Sequence, residues 1–343
     1  MRTLLAAAVA LVLSVDLTVG APLDPQSVND AEWREATSSK AGIDPALVKA
    51  QVLLGRARFS PGEIDGTAGD NLKKAIAAFA AARGLQAPDG MNEEAWRALV
   101  ATSREPVLQS YTISEDDLRG PFAEKIPPRI EKMKNLPALA YTSLREKLAE
   151  KFHMSEALLT ALNPGRKFDR SGETIMVANV GAGTLPAKIA RIEVDKSAQT
   201  LKAYDRDRNL LAFYPATAGS FDKPAPAGRL KVTAVTRDPT YRYNPEYAFK
   251  GVRSRTPFTI KPGPNNPVGV MWIGLSGEGY GIHGTPEPSK ISKTGSHGCI
   301  RLTNWDAMQL ASGLGKGTPV DFVGDEQDAR NARAQARSGR KRK

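Results

Sequence analysis

The sequence predicts a multidomain α+β protein whose C-terminal part is mainly β. Three observations carry that expectation. Apolar residues recur at three- and four-residue spacing through 45–100; the composition shifts to Lys and Glu with interspersed Pro over 106–183; and from Lys188 onward apolar and polar residues alternate between Gly- and Pro-rich turns. A chain of 343 residues exceeds one typical domain and has ample length to bury a core. The expected plan is a signal segment at 1–21, a linker at 22–40, a small three-helix domain at 41–102, an α/β module at 106–183, a sandwich- or barrel-like β domain at 188–324 and a basic tail at 325–343.

Arg2, the apolar run 4–13 and the small residues Gly20 and Ala21 have the layout of a secretory signal. The alternative is a short membrane anchor, but the run falls short of the ~20 residues that span a bilayer. Residues 22–40 are polar and aperiodic. Asp44-Pro45 then starts a helix with Leu47, Val48, Gln51 and Leu54 at helical spacing; Leu72, Ala75, Ile76 and Phe79 repeat it, and Asn92 caps a third stretch holding Trp96, Leu99 and Val100. Ile64-Asp65-Gly66 and Pro88-Asp89-Gly90 read as turns between them.

In 106–183 a short strand is expected at 111–113 and another at 173–177. Between them a Pro-containing insertion precedes a helix with Leu144, Leu148 and Phe152, and Ser155 caps a second with Leu158, Leu159 and Leu162, ended by Asn163-Pro164-Gly165. His153 reads as a structural or surface residue. Strands follow at 192–194, 201–204 and 210–214, the last two about a polar turn at 205–209, and at 229–236, 270–275, 281–283 and 320–323. Thr303 is placed to cap a helix through Trp305, Met308 and Leu310, with Gly313 beyond its end. Trp272 and Trp305 read as core aromatics, with Trp272 and Tyr280 as alternative cleft-lining residues.

The composition, 41% apolar and 25% charged, is that of a globular protein. The formal charge is +11, and the tail alone holds seven Lys and Arg against three Asp and Glu. Export argues against nucleic acid as a partner. The tail reads as a solvated chain or, alternatively, as a contact for anionic wall or membrane-surface polymers.

Residues 280–302 concentrate the chemistry. They read Tyr280-Gly281-Ile282-His283-Gly284-Thr285 and then Ser296-His297-Gly298-Cys299-Ile300-Arg301-Leu302, holding the single cysteine and two of the three histidines. A thiol attacks as the thiolate, so it needs a base close by, and imidazole suits that task. His283 stands sixteen positions before Cys299, and His297 is the second candidate. Gly298 lets backbone approach a ligand closely. An exported chain with one cysteine has no disulfide partner within itself, which argues that the thiol is used. No Cys/His spacing fits zinc and no Gly-rich phosphate loop follows a strand, so no cofactor or metal is expected.

These segments resemble the signature of the L,D-transpeptidases with a YkuD-type catalytic domain: His-Gly-Thr, then Ser-His-Gly-Cys followed by a hydrophobic residue and Arg or Asn. The resemblance spans 188–324 and includes Pro224-Ala225-Pro226-Ala227-Gly228, placed where that family has a Pro-rich turn before a strand. It implies that Cys299 is the nucleophile and His283 its base, oriented by the Gly284 carbonyl. Gly298, Cys299 and His297 would shape the oxyanion site next to Ser296, and Arg301 would support the site and meet a substrate carboxylate. Residues 41–102 resemble a peptidoglycan-binding helical domain, with Ala80 where that family has Gln, and 106–183 resemble a glycan-binding LysM-like module carrying an insertion.

The implied protein is exported, periplasmic or wall-associated. It forms a Cys299 thioester with a peptidoglycan stem peptide, releasing terminal D-alanine, and passes the acyl group to an amine. The alternatives are an L,D-carboxypeptidase hydrolysing the same thioester and a non-catalytic wall-binding scaffold. The loop 256–268 reads as a lid over a two-sided cleft, which favours transfer. The modules in 41–183 are expected to be removable without loss of reaction with small donors.

Overall fold

The computed structural model describes residues 23–34, 42–87, 89–181, 183–220, 223–247, 252–296 and 298–324. The expected signal segment and the basic tail lie outside the described residues, as does His297. Among the described residues no helix is long and apolar enough to cross a membrane.

Four helices come first: α1 (Pro25–Asn29), α2 (Pro45–Arg56), α3 (Asp70–Ala81) and α4 (Glu93–Val100). The Asp44 carboxylate accepts from the Ala46 and Leu47 amides to start α2, and the Asn92 side chain accepts from Ala95 to start α4. The stretch expected to be linker therefore differs from expectation in holding α1. Asp24 caps it, Pro25 occupies its first position, and Val28 is fully buried. A five-residue helix is too short to show a periodic pattern, so only its cap betrays it.

Next come β1 (Leu108–Thr112), α5 (Glu115–Leu118), α6 (Ile130–Met133), α7 (Leu144–Lys151), α8 (Glu156–Leu162) and β2 (Thr174–Ala178). Strands β1 and β2 pair antiparallel from Leu108 opposite Ala178 to Thr112 opposite Thr174, so β1 begins before the expected 111. One apolar core runs through both units, joining Leu53, Phe79 and Leu99 to Leu148, Leu158 and Val177.

The remainder is built from β3 (Arg191–Asp195), β4 (Thr200–Tyr204), β5 (Leu210–Pro215), β6 (Thr217–Ala218), β7 (Gly228–Arg237), β8 (Tyr241–Tyr243), β9 (Phe258–Ile260), β10 (Met271–Leu275), β11 (Gly281–His283), β12 (Ile300–Arg301), α9 (Asn304–Ser312) and β13 (Pro319–Val323). Nine strands form one mixed sheet in the order β5-β4-β3-β13-β7-β10-β11-β12-β6. Its two terminal strands, β5 and β6, are consecutive in the chain with only Ala216 between them. The sheet must therefore curl back on itself, which makes this part mainly β and barrel-like. Ile192 and Val194 of β3 are buried while their neighbours in the strand are half-exposed, the period-2 pattern seen in the sequence. Strands β8 and β9 pair with each other as a separate two-stranded ribbon.

The helical modules are sutured to this sheet rather than merely tethered to it. Phe213 of β5 exchanges backbone hydrogen bonds with Arg58 and Ser60, both 2.9 Å, and its side chain joins the N-terminal core. Ser60 Oγ donates to the buried Asp306 carboxylate of α9 at 2.9 Å. Asn304 Nδ2 donates to both oxygens of Glu150 on α7, at 3.1 and 3.0 Å. His153 stacks on Trp305 with ring centroids 5.0 Å apart, and burial pushes its pKa down to about 3.

Candidate active site

Two very short strands position the reactive side chains. His283 ends β11 and Cys299 immediately precedes β12; these strands run parallel, with Ile282 opposite Ile300 and His283 opposite Arg301. That register carries the thiol one step back along the ladder, beside Gly281. The loop holding Cys299 is pinned from the other side. The Cys299 carbonyl accepts from Ser296 Oγ at 2.5 Å and from the Gly219 amide at 3.4 Å, and the Gly219 carbonyl accepts from the Ser296 amide at 2.9 Å. Ser296 is thus a buried brace of the Cys299 loop.

Gly298 has φ +97°, and a Cβ there would lie 3.2 Å from the Tyr280 ring and 3.4 Å from the Pro224 carbonyl oxygen. A side chain at 298 would strain the backbone and crowd both walls.

His283 is 4% exposed and lies against Trp272, centroids 5.6 Å apart and planes 19° apart. Its Nδ1 is 2.7 Å from the Gly284 carbonyl oxygen. A carbonyl only accepts, so Nδ1 carries the proton and Nε2 keeps a free lone pair. Asn304 fixes this arrangement: a Cβ on Gly284 would come within 2.2 Å of its Oδ1, and that same oxygen accepts from the Val270 amide at 3.2 Å. Burial, with the Arg301 cation adding to it, pushes the His283 pKa down to about 3.

The half-buried Cys299 thiol donates to the Gly279 carbonyl at 3.6 Å. Burial raises its pKa, against the pull of the Gly281 backbone and the Arg301 cation. At neutral pH the two groups therefore rest as a neutral imidazole and a neutral thiol. Arg301 Nη1 donates to the Gly295 carbonyl at 3.3 Å. Burial lowers its pKa while Cys299, Glu287 and Tyr241 raise it, and guanidinium stays charged.

A cavity of about 730 Å³ opens over these groups. It brings Cys299, His283, Gly298 and Arg301 to one surface, with Trp272 and Tyr280 as walls. Gly284 and Ser296 stand behind it, holding the imidazole and the Cys299 loop respectively. Trp305 lies buried on α9, away from this cavity, as a core aromatic. Asn304 was not among the expected residues; as a polar residue just after a helix cap it looks like any first-turn residue. Ile130 of α6 also lines the cavity, contributed by the insertion. Among the described residues no cluster of three His, Cys, Asp or Glu could hold a metal ion.

A thiol and a tautomer-fixed imidazole thus share one cavity of a curled sheet, an arrangement suited to thiol chemistry. The L,D-transpeptidase catalytic domain, YkuD, matches residues 189–322. The chain is 33% identical over 181 residues to a putative L,D-transpeptidase YkuD of Bacillus licheniformis, covering 52% of this chain and 92% of the relative. It is 29% identical over 175 residues to a putative L,D-transpeptidase YkuD of Bacillus subtilis, covering 50% and 89%. Among solved structures, the catalytic domain of an E. faecium L,D-transpeptidase aligns with 26% identity and a TM-score of 0.31 over 40% of this chain and 99% of that one. The chain belongs to the L,D-transpeptidase family and is an enzyme of that class.

Proposed function

We propose that the protein is exported and cross-links peptidoglycan through a thioester on Cys299. The observation carrying this is the Gly284 clamp on His283, which leaves Nε2 as a proton acceptor in the same cavity as the thiol. Cys299 Sγ attacks the carbonyl carbon of the third stem residue, a diamino acid, as His283 takes the thiol proton. Backbone donors at Gly298 and Cys299, with His297, hold the oxyanion. Collapse breaks the bond to terminal D-alanine, whose nitrogen takes the proton from the imidazolium. An acceptor amine then attacks the thioester, gives its proton to His283 and restores the thiol.

Arg301, a half-buried cation on the cavity wall, fits a stem-peptide carboxylate. The modules at 41–102 and 106–183 are read as peptidoglycan-binding-like and LysM-like units that face wall polymers, and the basic tail as a contact for their anionic groups. Neither a cofactor nor nucleic acid enters this scheme.

Disaccharide tetrapeptides given to the purified enzyme are expected to yield dimers joined between two diamino acids, with free D-alanine. Mass spectrometry of the products decides: tripeptide monomers alone mean a carboxypeptidase, and unchanged substrate means an inert scaffold. A D-amino-acid exchange assay run alongside covers a lipoprotein lysine as acceptor.

A further inference from the structure

One wall of the cavity does not come from the catalytic sheet. Tyr241 and Arg242 of β8 and Val252 line the cavity from the ribbon β8–β9 and its connecting loop, and Ile130 lines it from α6 of the insertion. The insertion grips the ribbon's connecting loop, its second strand and the segment that follows it. The Glu131 carboxylate accepts from the Arg253 amide at 2.5 Å, and the Lys134 ammonium lies 5.9 Å from the centre of the Phe258 ring. Further along, the Leu139 amide donates to the Pro262 carbonyl at 2.9 Å, and the Leu139 carbonyl accepts from the Asn265 amide at 2.8 Å. Asn265 Nδ2 donates to the Ala140 carbonyl at 3.0 Å and to Glu146 at 2.8 Å.

This contact is close-fitted. Leu139 is fully buried, and a Cβ on Gly263, at φ +141°, would fall 2.2 Å from the Leu139 carbonyl oxygen. A paired backbone segment with a buried leucine and a glycine-only approach is a built interface rather than an incidental touch.

Resting on the reading of the site given above, we propose that the insertion is the fixed outer wall of the acyl-donor cleft. Ile130 contacts the bound peptide and selects its size and shape, and Glu131 and Leu139 act as positioning residues, the first holding the ribbon's loop and the second the segment that follows the ribbon. An apolar side chain lining the cavity that holds the reactive centre discriminates substrates through lost or gained contact, and the backbone clamps set where that wall stands.

The test uses the full chain with Ile130→Ala, Ile130→Trp, Glu131→Ala and Glu131→Gln, each checked for an unchanged melting profile. Ile130→Ala is expected to raise KM for a tetrapeptide donor about tenfold, with the effect falling on KM rather than kcat. Glu131→Ala is expected to raise KM and to quicken amide exchange at Arg253, and Glu131→Gln, which keeps an oxygen acceptor, to restore both. A second readout needs no peptide: Cys299 alkylation by iodoacetamide against a pyrenyl maleimide. Ile130→Trp should slow the bulky reagent about tenfold more than the small one. If wild-type protein ignores the tetrapeptide but the reagent ratio still shifts with Ile130, the proposed function fails and the wall stands. Wild-type KM and wild-type reagent ratios in both Ile130 variants would overturn the wall.

Discussion

Two segments face the same cavity and are held there by different means. Residues 280–302 reach it from within the curled sheet, on β11 and β12, whose neighbours on either side are strands of the same sheet. The insertion reaches it from another module, through Ile130, with Glu131 bound to the ribbon's loop and Leu139 to the segment after the ribbon. The first arrangement fixes the thiol and the imidazole, and the proton transfer proposed between them is a task that tolerates little displacement. The second holds a wall, whose displacement by mutation would alter fit without removing the sulfur. Chemistry is thus lodged in a ladder, and shape is borrowed across a module boundary.

The sharpest way to break that division is to remove the sulfur. Cys299→Ala should abolish turnover with an unchanged fold, because Ala offers no nucleophile, and Cys299→Ser should do nearly the same because a hydroxyl is far less nucleophilic than a thiolate. Mass spectrometry of the intact protein after carbapenem treatment should show an adduct only when Cys299 is present. Turnover at the wild-type rate in either variant ends the thioester mechanism.

Next in size is the base. His283→Ala should slow acylation of Cys299 by at least ~10²-fold, and His297→Ala should do less. The reverse order would move the base to His297. Between roughly pH 5 and 8 the His283 pKa of about 3 keeps the imidazole neutral, so acylation should show no loss through the usual histidine range and should fall only in strong acid. A rate that drops with a midpoint near 6.5 contradicts the neutral-pair description.

Removing residues 23–183 tests the borrowed shape. The sequence reading treats the modules as attachments, but the fragment 184–324 would lose Arg58 and Ser60 from the edge of β5, Glu150 from Asn304 and the insertion from the ribbon. An exposed edge strand with Phe213 bare invites association. The expected result is a melting point lower by roughly 10 °C or more and visible aggregation, from the loss of several kcal/mol of contacts. A fragment that melts like the whole chain and acts on small donors at its rate would restore the separable-module picture.

Legibility followed the range over which each feature is encoded. The motif at 280–302 is local, and its Cys, His and Gly spell a site without reference to anything distant. The strand at 192–194 was readable because one buried face imposes a period of two, and those at 201–204 and 210–214 because they flank the polar turn at 205–209, β5 itself being buried on both faces. Helices α2, α4 and α8 were readable from Asp44, Asn92 and Ser155. What escaped depends on backbone atoms or on partners far away. The Leu139 clamp uses a carbonyl and an amide, groups every residue has. Asn304 matters because its oxygen stands 2.0 Å from where a Gly269 Cβ would be, a fact spread over three segments. The curl of the sheet rests on Ala216 alone between two end strands, and nothing about an alanine announces that.

The smallest expected effect sharpens the comparison at the seam itself. Asp306 is buried on α9, its carboxylate accepting from Ser60 Oγ at 2.9 Å and its amide donating to Oγ1 of the helix cap, Thr303, at 3.1 Å. Burial raises its pKa to about 7, against the lowering effect of the Thr303 and Ser60 hydroxyls. A carboxyl whose folded pKa lies above its unfolded value of about 3.9 contributes stability that is present in acid and lost as pH rises through 7. Glu150 at the other suture, raised to about 7 by burial, pulls in the same direction. His153 and His283, lowered to about 3, act oppositely: their contribution grows as pH rises from about 3 to 6.5. The wild-type profile therefore mixes both signs, and a single substitution separates them. Asp306→Asn removes one titrating carboxyl while keeping an oxygen that accepts from Ser60. Relative to wild type the variant should gain stability between pH 5 and 8, by on the order of 1 kcal/mol or more, and lose that gain in acid. Chemical denaturation at several pH values measures it. A difference between the two proteins that stays flat from pH 4 to 8 would mean that Asp306 titrates normally and that the seam admits water.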